Sequence, residues 1–115
     1  MADFSYRFAW QTTTMTVMTV VFATLKARPE RVDQVRNELL ELKRLTNVEP
    51  GALGYAVYGG ADGVFVVFER YVDQAACDAH FAAPYVNAFF ARVPELLTDE
   101  PQVQFVDEVT TSSRS

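Results

Sequence analysis

The sequence has 115 residues, of which 50% are hydrophobic and 22% charged, and its formal net charge is −5 at pH 7. A chain of this length has room for one hydrophobic core, and the composition is typical of a globular protein and not of a disordered one. The excess of acidic residues disfavours nucleic acids and anionic membrane surfaces as partners, because both bind basic protein faces.

Residues 1–14 are predicted to form an N-terminal arm. Aromatic side chains alternate there with smaller or polar ones, which is the period of a strand or an extended arm. These aromatic residues are Phe4, Tyr6, Phe8 and Trp10. The arm could pair with a sheet edge, or it could be leader sequence ahead of a later start at Met15 or Met18. Residues 110–115 are predicted to be a frayed tail.

Residues 15–109 are predicted to form one domain, which begins with a strand at 15–26 and a helix that starts at Pro29. Both faces of the strand are mostly apolar, which favours a central position in a sheet. Proline suits the first position of a helix. The apolar positions of the helix recur at steps of three and four residues, which forms one stripe. They are Val32, Val35, Leu39, Leu42 and Leu45. The sequence Glu49-Pro50-Gly51 is expected to end this helix.

The second half of the domain is predicted to contain three strands and two helical segments. The strands are expected at 53–58, 64–71 and 103–109. The Gly-rich residues 59–63 favour a hairpin turn between the first two of these strands. Asp73 is a favourable N-cap for a helix, and Pro84 opens another helical segment. The order β-α-β-β-α-β with four antiparallel strands predicts an α+β, ferredoxin-like fold.

The two helices of this arrangement cover one face of the sheet. We expect the uncovered face to carry Val66 and Phe68 together with Val21 and Leu25. Monomeric proteins rarely expose a large contiguous apolar patch. We therefore expect a symmetric homodimer in which the two sheet faces pack together.

His80 is the only histidine of the sequence. In its predicted helix Gln74 and Asp78 mark the solvent side, so His80 points inward, toward space left by neighbouring alanines. An inward histidine beside unfilled space is a candidate general base, because its ordinary pKa is close to neutral pH. The alternative is a core histidine whose hydrogen bonds are satisfied.

Glu69 is expected to face the helices and His80, on the strand face that also carries Phe65, Val67 and Tyr71. A buried carboxylate must be paired or hydrogen-bonded. Glu69 therefore either tunes His80 or a substrate, or caps a nearby backbone or tyrosine group. The hydroxyl groups that could bind a phenol or quinone oxygen belong to Tyr55, Tyr58, Tyr71 and Tyr85.

Cys77 is the only cysteine of the sequence, and we interpret it as a packing residue. It cannot form an internal disulfide, and one cysteine with one histidine does not make the usual zinc site. No apolar run approaches the roughly 20 residues of a membrane span, and the N-terminus lacks the pattern of a signal peptide. We therefore expect a cytoplasmic protein with no metal site and no membrane partner.

The stretch from Glu69 to Phe89 resembles the antibiotic biosynthesis monooxygenase family. The matching motifs are Glu69-Arg70-Tyr71, Ala75, Ala79-His80, Pro84-Tyr85 and Ala88-Phe89. Pro50-Gly51 followed by Tyr55 is similar to the family's turn into its second strand. The resemblance covers roughly residues 16–109.

This resemblance implies a dimeric α+β barrel made of ferredoxin-like subunits, with a pocket between helices and sheet in each subunit. It also implies a monooxygenase that oxidises an electron-rich phenolic or enolisable small molecule with O2 and needs no cofactor. Anthrone-oxidising members carry other residues where Val67, Tyr71 and Cys77 stand here. Haem-degrading members use Asn and His where Phe22 and Phe90 stand, so haem degradation is not expected.

On this resemblance, we expect His80 to be the catalytic base and Glu69 its partner. Tyr71 and Tyr55 are expected to hold a substrate oxygen. The remaining residues expected to bind the substrate are Phe22, Phe65, Val67, Tyr85 and Phe90. A small-molecule isomerase and a non-catalytic, ligand-binding dimer remain as alternatives, because the fold alone does not discriminate between them.

Overall fold

The structure is a computed structural model that describes residues 18–109. The strands are β1 (Thr19–Lys26), β2 (Ala52–Gly59), β3 (Val64–Tyr71) and β4 (Gln102–Val106). The helices are α1 (Val32–Thr46), α2 (Gln74–Ala82), α3 (Pro84–Ala91) and the short α4 (Val93–Leu96). The predicted arm at 1–14 and tail at 110–115 lie outside the described residues.

The four strands form one antiparallel sheet in the order β2-β3-β1-β4. This order, with the helices between the strands, confirms the predicted ferredoxin-like α+β fold. The long strands β1 and β3 are central, and β2 and β4 are the edges. Tyr55 of β2 lies opposite Glu69 of β3, and Glu69 lies opposite Val21 of β1. This register places all three side chains on one face of the sheet.

Several boundaries differ from the sequence prediction. The helix expected at Pro29 begins as a 3-10 turn over Pro29–Arg31 and becomes α-helical at Val32. The last strand ends at Val106 and not at Val109, because Val106 opposite Val20 is the final pair of the β1–β4 register. Beyond it, the backbone has no strand partner among residues 18–109.

The prediction that Val21 and Leu25 lie on the uncovered face is wrong. Both are buried on the helix-covered face, and Phe22 lies on the uncovered face. The Phe22 ring stacks on Phe68 of the neighbouring strand, with ring centroids 4.9 Å apart. Hydrophobicity could not decide this orientation because both faces of β1 are apolar, whereas the pairing register with β3 fixes it.

The uncovered sheet face presents a band of apolar side chains within the described residues. They are Phe22, Ala56, Tyr58, Val66 and Phe68. Phe22 is 39% exposed and Tyr58 is 58% exposed. An apolar surface of this kind is favourably removed from water by a partner surface.

The helices bury their predicted faces against the other side of the sheet. Val35, Leu39 and Leu42 of the α1 stripe are buried, as predicted, and Leu40 lies off the stripe and is exposed. Asp73 is the N-cap of α2, as predicted, and its carboxylate accepts a hydrogen bond from the backbone N–H of Ala76 at 2.9 Å. Such a cap stabilises a helix by about 1 kcal/mol.

Gly51 brings the turn after α1 into close contact with α2. Its φ is +86°, and a Cβ atom at this position would lie 2.7 Å from the Cβ of Ala76. A side chain here would therefore be strained by the backbone conformation and would collide with the helix. This close approach holds the segment that carries Glu49 against the helix that carries His80.

We expect Gly51→Ala to lower the free energy of unfolding by about 2 kcal/mol, from the positive φ and the collision with Ala76. Urea denaturation measures this change. Gly60→Ala is the matched control, because Gly60 has a φ of −112° and its added Cβ would meet only the Val64 carbonyl oxygen, at 3.6 Å. Equal losses in the two variants would contradict the role assigned to Gly51.

Candidate active site

A cavity lies between the helices and the covered face of the sheet. Its lining residues are Ala23, Leu25, Leu39, Leu42, Tyr55, Val67, Glu69, His80, Phe81, Val86, Phe89, Phe90, Pro101 and Val103. The space open to the centres of water-sized molecules is about 30 Å³, which is room for about two water molecules. The walls are apolar except at Tyr55, Glu69 and His80, so a bound molecule would meet few polar groups, all close together.

His80 is 3% exposed and both of its ring nitrogens face carboxylates. Its Nδ1 atom lies 3.2 Å from Oε1 and 3.1 Å from Oε2 of Glu49. Its Nε2 atom lies 3.5 Å from Oε1 of Glu69. Gln74 and Asp78 of α2 hydrogen-bond to each other on the exposed side of this helix, so the predicted inward direction of His80 is confirmed. His80 both forms a buried polar contact and lines the cavity.

Glu49 belongs to this site, and the sequence reasoning missed it. Its side chain is 16% exposed and also accepts a hydrogen bond from the hydroxyl of Tyr85. In the sequence it stands directly before Pro50-Gly51, where local patterns indicate only the end of a helix. The contact of Gly51 with α2 brings its carboxylate to His80, a contact between distant parts of the chain that local patterns do not reveal.

Glu69 is 4% exposed, and its Oε1 atom accepts a hydrogen bond from the Tyr71 hydroxyl at 2.6 Å. Burial raises the pKa of this carboxyl group above its ordinary value of 4.5, and the charge of Glu49 adds to the increase. The hydrogen bond from Tyr71 and the nearby His80 oppose it. The structure therefore confirms that Glu69 binds a tyrosine group, and it also places Glu69 beside His80.

Tyr55 and Tyr71 have different positions relative to the cavity. Tyr55 lines it, with its ring centroid 6.2 Å from that of His80. Tyr71 is fully buried outside the lining, and its hydroxyl is directed to Glu69. Burial is the main cause that raises the pKa of both phenols, so each remains protonated and able to donate. In this position Tyr71 cannot make the expected contact with a substrate oxygen. Its hydroxyl orients Glu69 instead.

The other predicted substrate-binding residues divide into two groups. Val67 and Phe90 line the cavity, as expected. Phe22 lies on the opposite face of the sheet, because its place in the β1 register gives it the orientation of Phe68. Phe65 is buried outside the cavity lining, with the Arg36 guanidinium over its ring. Tyr85 binds Glu49 and lines a separate groove between α1 and α3.

The origin of the space beside His80 also differs from the prediction. The sequence predicts that the alanines of α2 leave room between helix and sheet. Ala75, Ala79 and Ala82 are exposed, so they do not adjoin the cavity. The only alanine of the lining is Ala23 of β1, whose small side chain leaves room on the floor of the sheet.

The rest of residues 18–109 contributes little further reactive chemistry. Cys77 is buried among Val21 and Tyr71, as its interpretation as a packing residue predicted, and burial raises the pKa of its thiol to about 11. Within these residues, no group of three or more His, Cys, Asp or Glu side chains is arranged to hold a metal ion. None of the helices described has the length and apolar character needed to cross a membrane.

These features define a ferredoxin-like domain with a buried histidine and two carboxylates beside an apolar cavity. A sequence model of the antibiotic biosynthesis monooxygenase family matches residues 18–92. The chain therefore belongs to this family, as its motifs indicated.

Two solved structures illustrate the similarity. The structure of Rv0793 from Mycobacterium tuberculosis is 31% identical with a TM-score of 0.76, and the match covers 84% of this chain and 99% of that one. A crystal structure of an antibiotic biosynthesis monooxygenase is 28% identical with a TM-score of 0.73, and the match covers 80% of this chain and 99% of the other. The overall fold of the described domain is thus shared with both.

Curated relatives are similar at a comparable level. The protein YcnE of Bacillus subtilis is 29% identical over 83 residues, which are 70% of this chain and 87% of the relative. An uncharacterized protein of Synechocystis is 29% identical over 91 residues, which are 74% of this chain. The match spans only 59% of the length of the Synechocystis protein.

We expect Glu69 to make the stability of the protein depend on pH. Because burial raises its pKa in the folded state above 4.5, its contribution to stability is fully present below about pH 4.5 and is lost as the pH rises through the folded-state value. The thermal midpoint of the wild type, compared with Glu69→Gln, should therefore fall as the pH increases above about 4.5. Thermal unfolding of both proteins across this range measures the difference.

Glu41→Gln is the control for the pH experiment. It makes the same chemical change at an exposed carboxylate that pairs with Arg44 on α1. This pairing lowers the pKa of Glu41, so the contribution of Glu41 to stability changes with pH in the opposite direction. If the thermal midpoint of the wild type instead increases relative to that of Glu69→Gln as the pH rises, the raised pKa of Glu69 is contradicted.

Proposed function

We propose that this protein is a cofactor-independent monooxygenase that oxidises an electron-rich phenolic or enolisable small molecule with O2. The observation that carries the proposal is the buried imidazole of His80 between two carboxylates, at the wall of an apolar cavity. Membership of the antibiotic biosynthesis monooxygenase family supports the class of reaction.

In this proposal His80 is the general base. It removes a proton from the substrate, and the resulting enolate or phenolate is electron-rich enough to reduce O2. The proton on the imidazole is stabilised by Glu49 and Glu69, which face its two nitrogens. The phenol of Tyr55, which stays protonated, donates a hydrogen bond to the substrate oxygen as negative charge develops there.

The oxidation is balanced without an external reductant. The substrate anion gives its electrons to O2, and a C–O bond forms to give a hydroperoxide after protonation. Where the oxygenated carbon was a CH2 group of the substrate, loss of water from this hydroperoxide converts it into a carbonyl group. One oxygen atom enters the product and the other leaves as water. The electrons that reduce O2 all come from the two C–H bonds of the substrate that break.

The cavity constrains the size and the entry route of the substrate. In this conformation it holds about two water molecules, so a polycyclic phenol requires side chains to move. Phe90 is exposed and Pro101 is partly exposed, and both line the cavity. We propose that substrate enters between these two residues and that the apolar walls then exclude water from the reactive anion.

An isomerase is the second candidate, and the raised pKa of Glu69 favours it. A carboxyl group with a raised pKa keeps its proton to a higher pH than an ordinary one, and beside a histidine base it can return that proton to a second carbon atom of an enolate. This reaction uses the same deprotonation but consumes no O2. Oxygen uptake therefore distinguishes the two activities.

We further propose that the protein forms a homodimer through the uncovered sheet face. The apolar band that contains Phe22 and Phe68 supports a second copy of this chain as the partner, and a two-fold arrangement would let identical faces cover each other. The sequence also predicts that nucleic acids and membranes are not partners of this protein and that its location is cytoplasmic. Both remain predictions.

The first experiment is oxygen uptake by the metal-stripped protein with an anthrone-type phenol, with heat-denatured protein as the blank. We expect quinone formation, and we expect His80→Gln to lower the rate on the order of 100-fold or more, because a positioned base is lost. Asp78→Asn is the matched control on the exposed side of α2 and should retain the rate. Equal rates in wild type and His80→Gln would rule out His80 as the base.

The dimer is tested by sedimentation velocity at micromolar concentration. We expect the wild type to sediment as a dimer and Phe68→Asp as a monomer, because the substitution places a charge in the proposed interface. Leu40→Asp makes the same kind of change on the exposed side of α1 and should remain dimeric. A wild type that sediments as a monomer would disprove the proposed assembly.

A further inference from the structure

We propose that Glu49 is a positioning residue that fixes neutral His80 in the tautomer with the proton on Nδ1, which leaves the lone pair of Nε2 available on the side of Glu69 and the cavity. This inference rests on the proposed function insofar as it says which nitrogen of the base receives the substrate proton. The tautomer itself can be measured without any substrate.

The contacts of the two ring nitrogens are unequal. Both oxygens of Glu49 lie within 3.2 Å of Nδ1, a distance typical of an N–H donor and a carboxylate acceptor. Without a proton, Nδ1 would direct its lone pair at two electron-rich oxygens. Nε2 faces a single oxygen of Glu69 at 3.5 Å, which is longer than an ordinary N–H···O hydrogen bond.

The two carboxylates also differ in how they are held. Glu49 is partly exposed to solvent and accepts from Tyr85, so a negative charge on it is hydrated and hydrogen-bonded. Glu69 is nearly fully buried and its Oε1 atom already accepts from Tyr71. Because a charge costs less where water reaches it, Glu49 is the better acceptor for a permanent hydrogen bond from His80.

The backbone keeps Glu49 in this place. Gly51, two residues further on, lies so close to Ala76 of α2 that a side chain would not fit, and the backbone N–H of Val72 donates to the Gly51 carbonyl at 2.8 Å. The turn is thereby attached both to the end of β3 and to the helix that carries His80. A carboxylate on a fixed turn can select one tautomer of a histidine on a fixed helix.

The tautomer is measured by long-range ¹H–¹⁵N correlation on the ¹⁵N-labelled full chain at about pH 8, where an ordinary histidine is neutral. Because His80 is the only histidine, every imidazole signal belongs to it. We expect a protonated Nδ1 and an unprotonated Nε2 in the wild type. A protonated Nε2, or an imidazolium with both nitrogens protonated, would overturn the proposal without the need for any variant.

Three variants then test the cause. Glu49→Ala removes the acceptor, and we expect the proton to redistribute toward Nε2. Glu49→Gln retains an oxygen that can accept from Nδ1, and it should restore the wild-type tautomer although the charge is gone. Glu41→Ala on the exposed side of α1 is the control and should leave the spectrum unchanged. An unchanged tautomer in a folded Glu49→Ala protein would overturn the role of Glu49.

The oxygen-uptake assay separates this inference from the proposed function. With an anthrone-type phenol we expect Glu49→Ala to lower kcat more than KM changes, and Glu49→Gln to recover most of the rate. Absence of oxygen uptake in the wild type would overturn the proposed function, and the tautomer measurement would still decide the role of Glu49. Uptake that is equal in wild type and Glu49→Ala would overturn the positioning role.

Discussion

Two carboxylates and one imidazole meet where His80 and Glu69 are buried and Glu49 is partly exposed, and the site depends on their mutual compensation. A buried charge is costly unless it is paired and hydrogen-bonded. Tyr71 binds Glu69, Tyr85 binds Glu49, and His80 lies between the two carboxylates. Each group therefore limits the protonation and the orientation of the next.

The one-sided cover of the sheet separates two functions within the same strands. Residues of β1 and β3 that face the helices, such as Val21 and Glu69, build the core and the cavity. Their neighbours in sequence, such as Phe22 and Phe68, form an apolar band on the other face. Side chains alternate between the two faces of a strand. A shift of one residue along the strand therefore moves a side chain from the core face to the apolar band.

A small, mostly apolar cavity with one histidine would suit the proposed reaction, in which the substrate supplies the electrons that reduce O2. The protein then needs to bind the molecule, remove a proton and exclude water. Tyr55, Glu69 and His80 supply the polar groups of the lining, and the remaining wall residues are apolar. The same set of groups would serve an isomerase, because oxygenation and isomerisation have a common first step.

The sequence by itself determined the order of the elements, the Asp73 N-cap, the apolar stripe of α1 and the inward direction of His80. These features follow from proline, capping and periodicity, which act within a few residues. Only the tertiary structure decided which face of β1 is covered, since both faces are apolar and the register with β3 makes the choice. It also decided the place of Glu49, which meets His80 across 31 residues of chain because strand pairing and the close contact of Gly51 with α2 bring two distant segments together.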